Sequence, residues 1–221
     1  MRSILVHAER GSAGAARIDT ALSLARMTGG HATLLVDTPV MRYTTVHALG
    51  GATVASEALQ EAVAEDDAFA VENSARLSRD DVPFTVLRAE VEPLEALSEA
   101  GRLADVVVVS RSDPLAGDLP LSVRCPVLAV NDGEVLAFPL ARAAIAWDGS
   151  AEAAAALRGA VGLLAGCAAV TVLTVSDAPL EWPATDALEY LSRHGISAEE
   201  RVLPKVGSVE ESLARALKDM E

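Results

Sequence analysis

Short runs of Val, Leu and Ile recur along the chain at residues 3–8, 32–36, 84–87, 105–109 and 126–130. Each run has the length of a strand, and apolar and polar positions alternate poorly within it. That pattern predicts strands buried on both faces, as in a parallel sheet. Helical spacing fills the intervals. Residues 15–27 carry Ile18, Leu22 and Ala25 at that spacing, and the longer, more acidic stretch 56–77 carries Leu59, Ala62, Val63, Phe69 and Leu77. Residues 92–103 open with Pro93, a good first-turn residue. Strand and helix therefore alternate, which predicts an α/β fold built on a doubly wound, Rossmann-like parallel sheet.

The pattern then restarts. Strands are expected at 143–147, 170–175 and 199–203, with helices at 151–164 and 184–194 between them. Ser208-Val-Glu-Glu211 reads as a capping box that opens a last helix. The two halves are weakly self-similar: Ala15-Ala-Arg-Ile18-Asp-Thr-Ala-Leu22 lines up with Ala154-Ala-Ala-Leu157-Arg-Gly-Ala-Val161, and Thr33-Leu-Leu-Val36 with Thr171-Val-Leu-Thr174. A tandem duplication is the simplest account. The join falls at 131–140, where Asp132-Gly133 and Pro139 break the pattern. The expected domains are residues 1–135, with five strands, and 140–221, with three. Glu221 falls where a fourth strand would begin, so the second copy is expected to be truncated, without strands four and five.

Composition narrows the function classes. A chain of 221 residues fits one large domain or two small ones, and 51% apolar residues supply a core. Thirty-two acidic against 18 basic residues leave a net charge of −14. Such a charge repels phosphate backbones and anionic membrane surfaces, so neither nucleic acid nor membrane is an expected partner. Aromatic residues are only 3%, which removes a base-stacking platform. No leader pattern and no apolar run of roughly 18 residues occur. Cys125 and Cys167 cannot form a disulfide framework, so the expected compartment is the cytoplasm.

Candidate chemistry is sparse. His7, His31, His47 and His194 show no two-ligand spacing and read as isolated surface or strand histidines, so no metal site is expected. No G-x-S-x-G elbow, P-loop or G-x-G-x-x-G fingerprint is present. Gly11-Ser-Ala-Gly14 lies between the first strand and first helix and reads first as a tight turn. The sharpest local feature is Trp147-Asp148-Gly149-Ser150, with Asp148 at the carboxyl end of a strand, where open α/β sheets bind ligands. It has two readings. In one, Asp148 accepts a hydrogen bond from a ribose hydroxyl or an exocyclic amine. In the other, the segment is a turn in which Ser150 caps the next helix.

The chain resembles the universal stress protein family in its tandem two-domain form. The resemblance rests on Ile145-Ala-Trp-Asp-Gly-Ser150, on Asp105-Val-Val-Val-Val109, on Cys125-Pro-Val-Leu-Ala-Val130 as fifth strand, and on the order of elements. It implies a five-strand parallel sheet in the order 3-2-1-4-5, of the nucleotide α-hydrolase type, and a nucleotide site in some members. ATP-binding members carry an Asp after strand one; Asp148 matches it, and the first copy has Glu9 there. They also carry G-x2-G-x9-G-[ST] after strand four. Residues 110–125 have only Gly117 there, with the added carboxylates Asp113 and Asp118.

The resemblance therefore implies a regulatory or scaffolding protein, with ATP bound weakly or not at all. The alternative is an adenine-nucleotide binder that uses Asp148, Gly149, Ser150 and Val175. Hydrolase-type chemistry would need an S-G-G-x-D-S-like loop that residues 10–15 lack, so no enzymatic activity and no catalytic residues are expected. In the family's strand order, 143–147 and 126–130 are open edges. A homodimer through these edge strands would cover them, and a shortened form of a longer chain would expose them equally well. The connection 39–53 carries Arg42 and Tyr43, to which the sequence assigns no role.

Overall fold

A computed structural model describes residues 1–41, 52–175 and 180–220. Arg42 and Tyr43 lie outside the described residues. The chain divides into two compact units, Met1–Phe138 and Pro139–Glu221.

The first unit is a five-strand, all-parallel sheet in the order β3-β2-β1-β4-β5. Its strands are β1 (Ser3–His7), β2 (His31–Asp37), β3 (Phe84–Ala89), β4 (Val106–Ser110) and β5 (Val127–Val130). Helices α1 (Ser12–Thr28), α2 (Ala52–Leu77), α3 (Pro93–Ala100) and α4 (Leu115–Ser122) connect them. The runs of Val and Leu become strands because both faces of the sheet are covered. Leu5, Leu35, Val107 and Val109 pack with Ala96, Leu97, Leu115 and Leu119 of α3 and α4. By the alternation of a strand, Ile4, Val6, Val106 and Val108 point to the opposite face, where α1 packs on β1 and β4.

Residues 110–125 differ from the loop expected there, because α4 occupies 115–122. Gly117 and the internal Pro120 both argue against a helix. Burial of Leu115 and Leu119, one turn apart on the β4–β5 side, overrides them. Gly11-Ser-Ala-Gly14 also acquires a packing reason. A Cβ on Gly14 would fall 1.8 Å from the Glu9 carbonyl oxygen, so glycine lets the first turn of α1 press onto the end of β1.

The second unit holds β6 (Arg142–Ala146), β7 (Ala169–Val175) and β8 (Ala198–Leu203) in a parallel sheet ordered β6-β7-β8. Helices α5 (Ala151–Leu164), α6 (Ala184–Arg193) and α7 (Val209–Lys218) accompany them. Trp147, Leu157, Leu164, Val170, Val172 and Leu191 form the main core, and Leu173, Leu203 and Ala216 a smaller one. The capping box at Ser208 and Glu211 forms as read, with both reciprocal bonds present. β6 is an edge, and Arg142, Ala144 and Ala146 are exposed along it.

Asp105 clamps the amino ends of two central strands. Its Oδ2 accepts the backbone N–H groups of Arg2 (2.5 Å) and Ser3 (3.0 Å). These two bonds hold its carboxyl below the ordinary 3.8. A depressed native pKa stabilises the fold above the unfolded value, and that stabilisation disappears as the pH falls through the native one. Asp105→Ala is therefore expected to lower the urea midpoint at neutral pH. The gap to the unaltered protein should narrow as the pH drops from about 5 towards 2. Unfolding curves across that range test it, and a gap independent of pH would refute the role.

Candidate functional site

A cavity of about 650 Å³ opens at the carboxyl end of the first sheet. The ends of β1 and β2 contribute His7, Glu9 and Asp37, and the segment after β4 contributes Asp113 and Asp118. With Asp66 and Glu92, six carboxylates line it against one cation, Arg10, among the described residues. Arg10 is itself paired with Glu65 and lies 3.6 Å from Asp66.

His7 is fully buried beneath this cavity. Its Nε2 lies 2.7 Å from Asp37 Oδ1. A carboxylate only accepts, so the proton sits on Nε2, and in the neutral ring Nδ1 carries a bare lone pair. Nδ1 has no hydrogen-bond partner among the described residues and lies 3.9 Å from Glu9 Oε2. Arg17, also buried, fixes both groups. Its Nε donates to the His7 carbonyl at 3.1 Å and its Nη2 to Glu9 Oε2 at 2.5 Å. His7 is thus not the isolated histidine that its spacing suggests. The signal that could have found it is positional. In the order 3-2-1-4-5, β1 lies between β2 and β4, so His7-x-Glu9, Asp37 and Asp113 all fall at adjoining strand ends.

Where the family resemblance implies phosphate-holding amides, most of the amides here are already engaged. The N–H groups of Arg111 and Ser112 donate to Val130 O and Ser110 Oγ, and that of Leu115 donates to Asp113 Oδ1. Those of Ala116, Gly117 and Asp118 donate to the carbonyls of Asp113 and Pro114. The Ser110 and Ser112 hydroxyls both donate to Asp132, whose carboxyl they hold below its ordinary range. An arriving phosphate would meet the Asp113 and Asp118 carboxylates here, with most of the backbone donors of this segment already engaged.

The second unit places the sequence-selected residues around two cavities. Asp148, Ser150 and Val175 border one of about 260 Å³, walled by Leu173, Val209 and Leu213. Asp148 Oδ1 accepts the Ser150 N–H at 2.9 Å. Hydrogen bonds from Ser150 hold that carboxyl below its usual range. Ser150 Oγ in turn accepts the Ala153 N–H as the α5 cap. The capping reading of this turn is thus present, and Asp148 is exposed beside it. Gly149 faces a second cavity of about 620 Å³, which includes Trp147, Arg158, Trp182 and Tyr190. Burial pushes the Cys125 and Cys167 thiols up, so neither is a ready nucleophile at neutral pH.

No family model matches the sequence, and no curated protein matches it. Among solved structures the chain is similar to a universal stress protein from Archaeoglobus fulgidus DSM 4304. The TM-score is 0.68 at 13% sequence identity, covering 98% of this chain and 84% of that one. At that identity the likeness shows the fold: an α/β architecture of the universal stress protein type. No helix among the described residues is long and apolar enough to cross a membrane.

Gly149 makes the turn possible. Its φ is +78°, and a Cβ there would lie 2.7 Å from the Trp182 carbonyl oxygen, which also accepts the Trp147 indole N–H at 3.0 Å. Gly149→Ala is expected to destabilise the second unit by about 1–3 kcal/mol, through the left-handed backbone and the contact together. Chemical denaturation monitored by tryptophan fluorescence checks it, since Trp147 and Trp182 both lie in that unit.

Proposed function

We propose that the chain is a universal stress protein-like regulatory or scaffolding protein that binds ATP weakly or not at all and is not an enzyme. The observation that carries this reading is the segment after β4, with most of its amides engaged and its cavity lined by six carboxylates. A triphosphate carries a charge of roughly −3 to −4 and needs preorganised donors or cations. In this reading the chain is a tandem pair of units of this type. It acts in the cytoplasm and pairs with a second copy of itself through edge strands such as β5 and β6.

A second reading is favoured by one observation: Asp148, Ser150 and Val175 border a single cavity with apolar walls. There the second unit would take an adenine nucleoside or nucleotide, with Asp148 accepting from a ribose hydroxyl or the exocyclic amine. Calorimetric titration with Mg-ATP and with adenosine separates the two. The first reading expects no binding of either ligand tighter than about millimolar. Micromolar adenosine binding that Asp148→Ala abolishes would install the second reading. Micromolar ATP binding that Asp148→Ala leaves intact would overturn both.

A further inference from the structure

We infer that the carboxyl end of the first sheet holds a divalent transition-metal ion, bound by His7 Nδ1 and the carboxylates of Glu9 and Asp113. This inference stands apart from the nucleotide question, because none of the three donors depends on a bound phosphate. One ligand atom from each residue lies within 4.8 Å of the others. Acidic residues alone would not make such a site; the imidazole does. The Nδ1 of this fully buried ring loses hydrogen bonding to water and has no replacement partner among the described residues. A cation at the mouth of the cavity removes that cost.

The support around the ring matches what a metal-bound histidine requires. Metal-ligating imidazoles hand their other N–H to a carboxylate, which fixes the tautomer and raises ligand basicity. Asp37 Oδ1 does this at 2.7 Å from Nε2. Arg17 orients Glu9, and a carboxylate offers about four lone-pair sites, so the arginine leaves capacity for an ion. The surrounding charge also favours a cation, because the lining carboxylates outnumber Arg10 and the buried Arg17.

One imidazole nitrogen with two carboxylate oxygens suits Zn2+ and its first-row neighbours better than Ca2+ or Mg2+. Zinc ligands lie at about 2.0–2.2 Å from the ion, so binding draws Glu9 and Asp113, both outside regular strands, slightly inward. The remaining coordination positions face the cavity and take water or an anionic group.

The test is calorimetry with Zn2+ alone on the chelator-treated full chain at physiological salt, paired with side-chain ¹H–¹⁵N spectra of the histidines. One ion per chain is expected, with the His7 Nδ1 resonance moving on addition of the metal. Asp113→Asn and Glu9→Gln should each weaken binding by about tenfold or more, as should Asp37→Asn, which acts through His7. Asp118→Asn lies in the same cavity outside the donor set, and should change affinity by no more than about twofold in a screened medium. Asp113 is the decisive position should Glu9→Gln unfold the chain by stranding Arg17. No saturable binding would overturn the inference. So would binding that leaves the His7 resonance in place, or that Asp113→Asn and Asp118→Asn weaken alike, since that is the behaviour of a diffuse acidic surface.

Discussion

The pairing of β1 with β4 determines what the first sheet can present at its carboxyl end. Ile4, Leu5 and Val6 face Val106, Val107 and Val108 in register, and all are buried on both sides. In a pair this apolar on both faces a one-residue slip exchanges one buried face for another, so what fixes the register lies at the strand ends. Asp105 closes the amino end by holding the backbone amides of Arg2, just before the chain's opening strand, and Ser3, its first residue. With that end fixed, the chain must leave β1 at His7 and β4 at Ser110, side by side. The acidic cavity, the buried histidine and the engaged segment before α4 all follow from this adjacency.

Electrostatics then separates the first unit from a phosphate site. Helix α4 and the Ser110–Ser112 turn use their own hydrogen-bonding groups to satisfy themselves and Asp132. A backbone that spends its N–H groups internally is cheap to fold and poor at holding an anion. Buried Arg17 cannot compensate, because it is committed to the His7 carbonyl and to Glu9. The carboxyl end of the first sheet is thus strongly acidic around a buried imidazole.

Much of the scaffold was legible because the deciding signals are local or periodic. The Val-rich runs, the restart at residue 143, Ser150 as a cap and the Ser208–Glu211 box each depend on residues within a few positions of one another. Helix α4 was not legible, since its local residues favour a loop and only burial of Leu115 and Leu119 decides otherwise. His7 was illegible for a related reason. Its meaning comes from Asp37, 30 residues away, and from Asp113 across the β1–β4 pair. A histidine read by sequence spacing alone has no such neighbours.

The two sheets share a register, which sharpens the contrast between their strand ends. His7 pairs opposite Leu35 in the first, and Ala146 opposite Leu173 in the second. Carried outward by the same offsets, Glu9 corresponds to Asp148 and Asp37 to Val175. The alignment of α1 with α5 likewise sets Arg17 against Ala156. The second unit therefore keeps a carboxylate after its first strand but has neither the imidazole, nor the carboxylate behind it, nor the arginine that would orient it. Its Asp148 turns back onto Ser150 beside an apolar wall, whereas Glu9 is held over a buried ring. Equivalent positions on one framework thus carry different chemistry: a strongly acidic end around a buried imidazole in the first unit, and in the second an end with apolar walls where Asp148 and Glu152 are the carboxylates among the described lining residues.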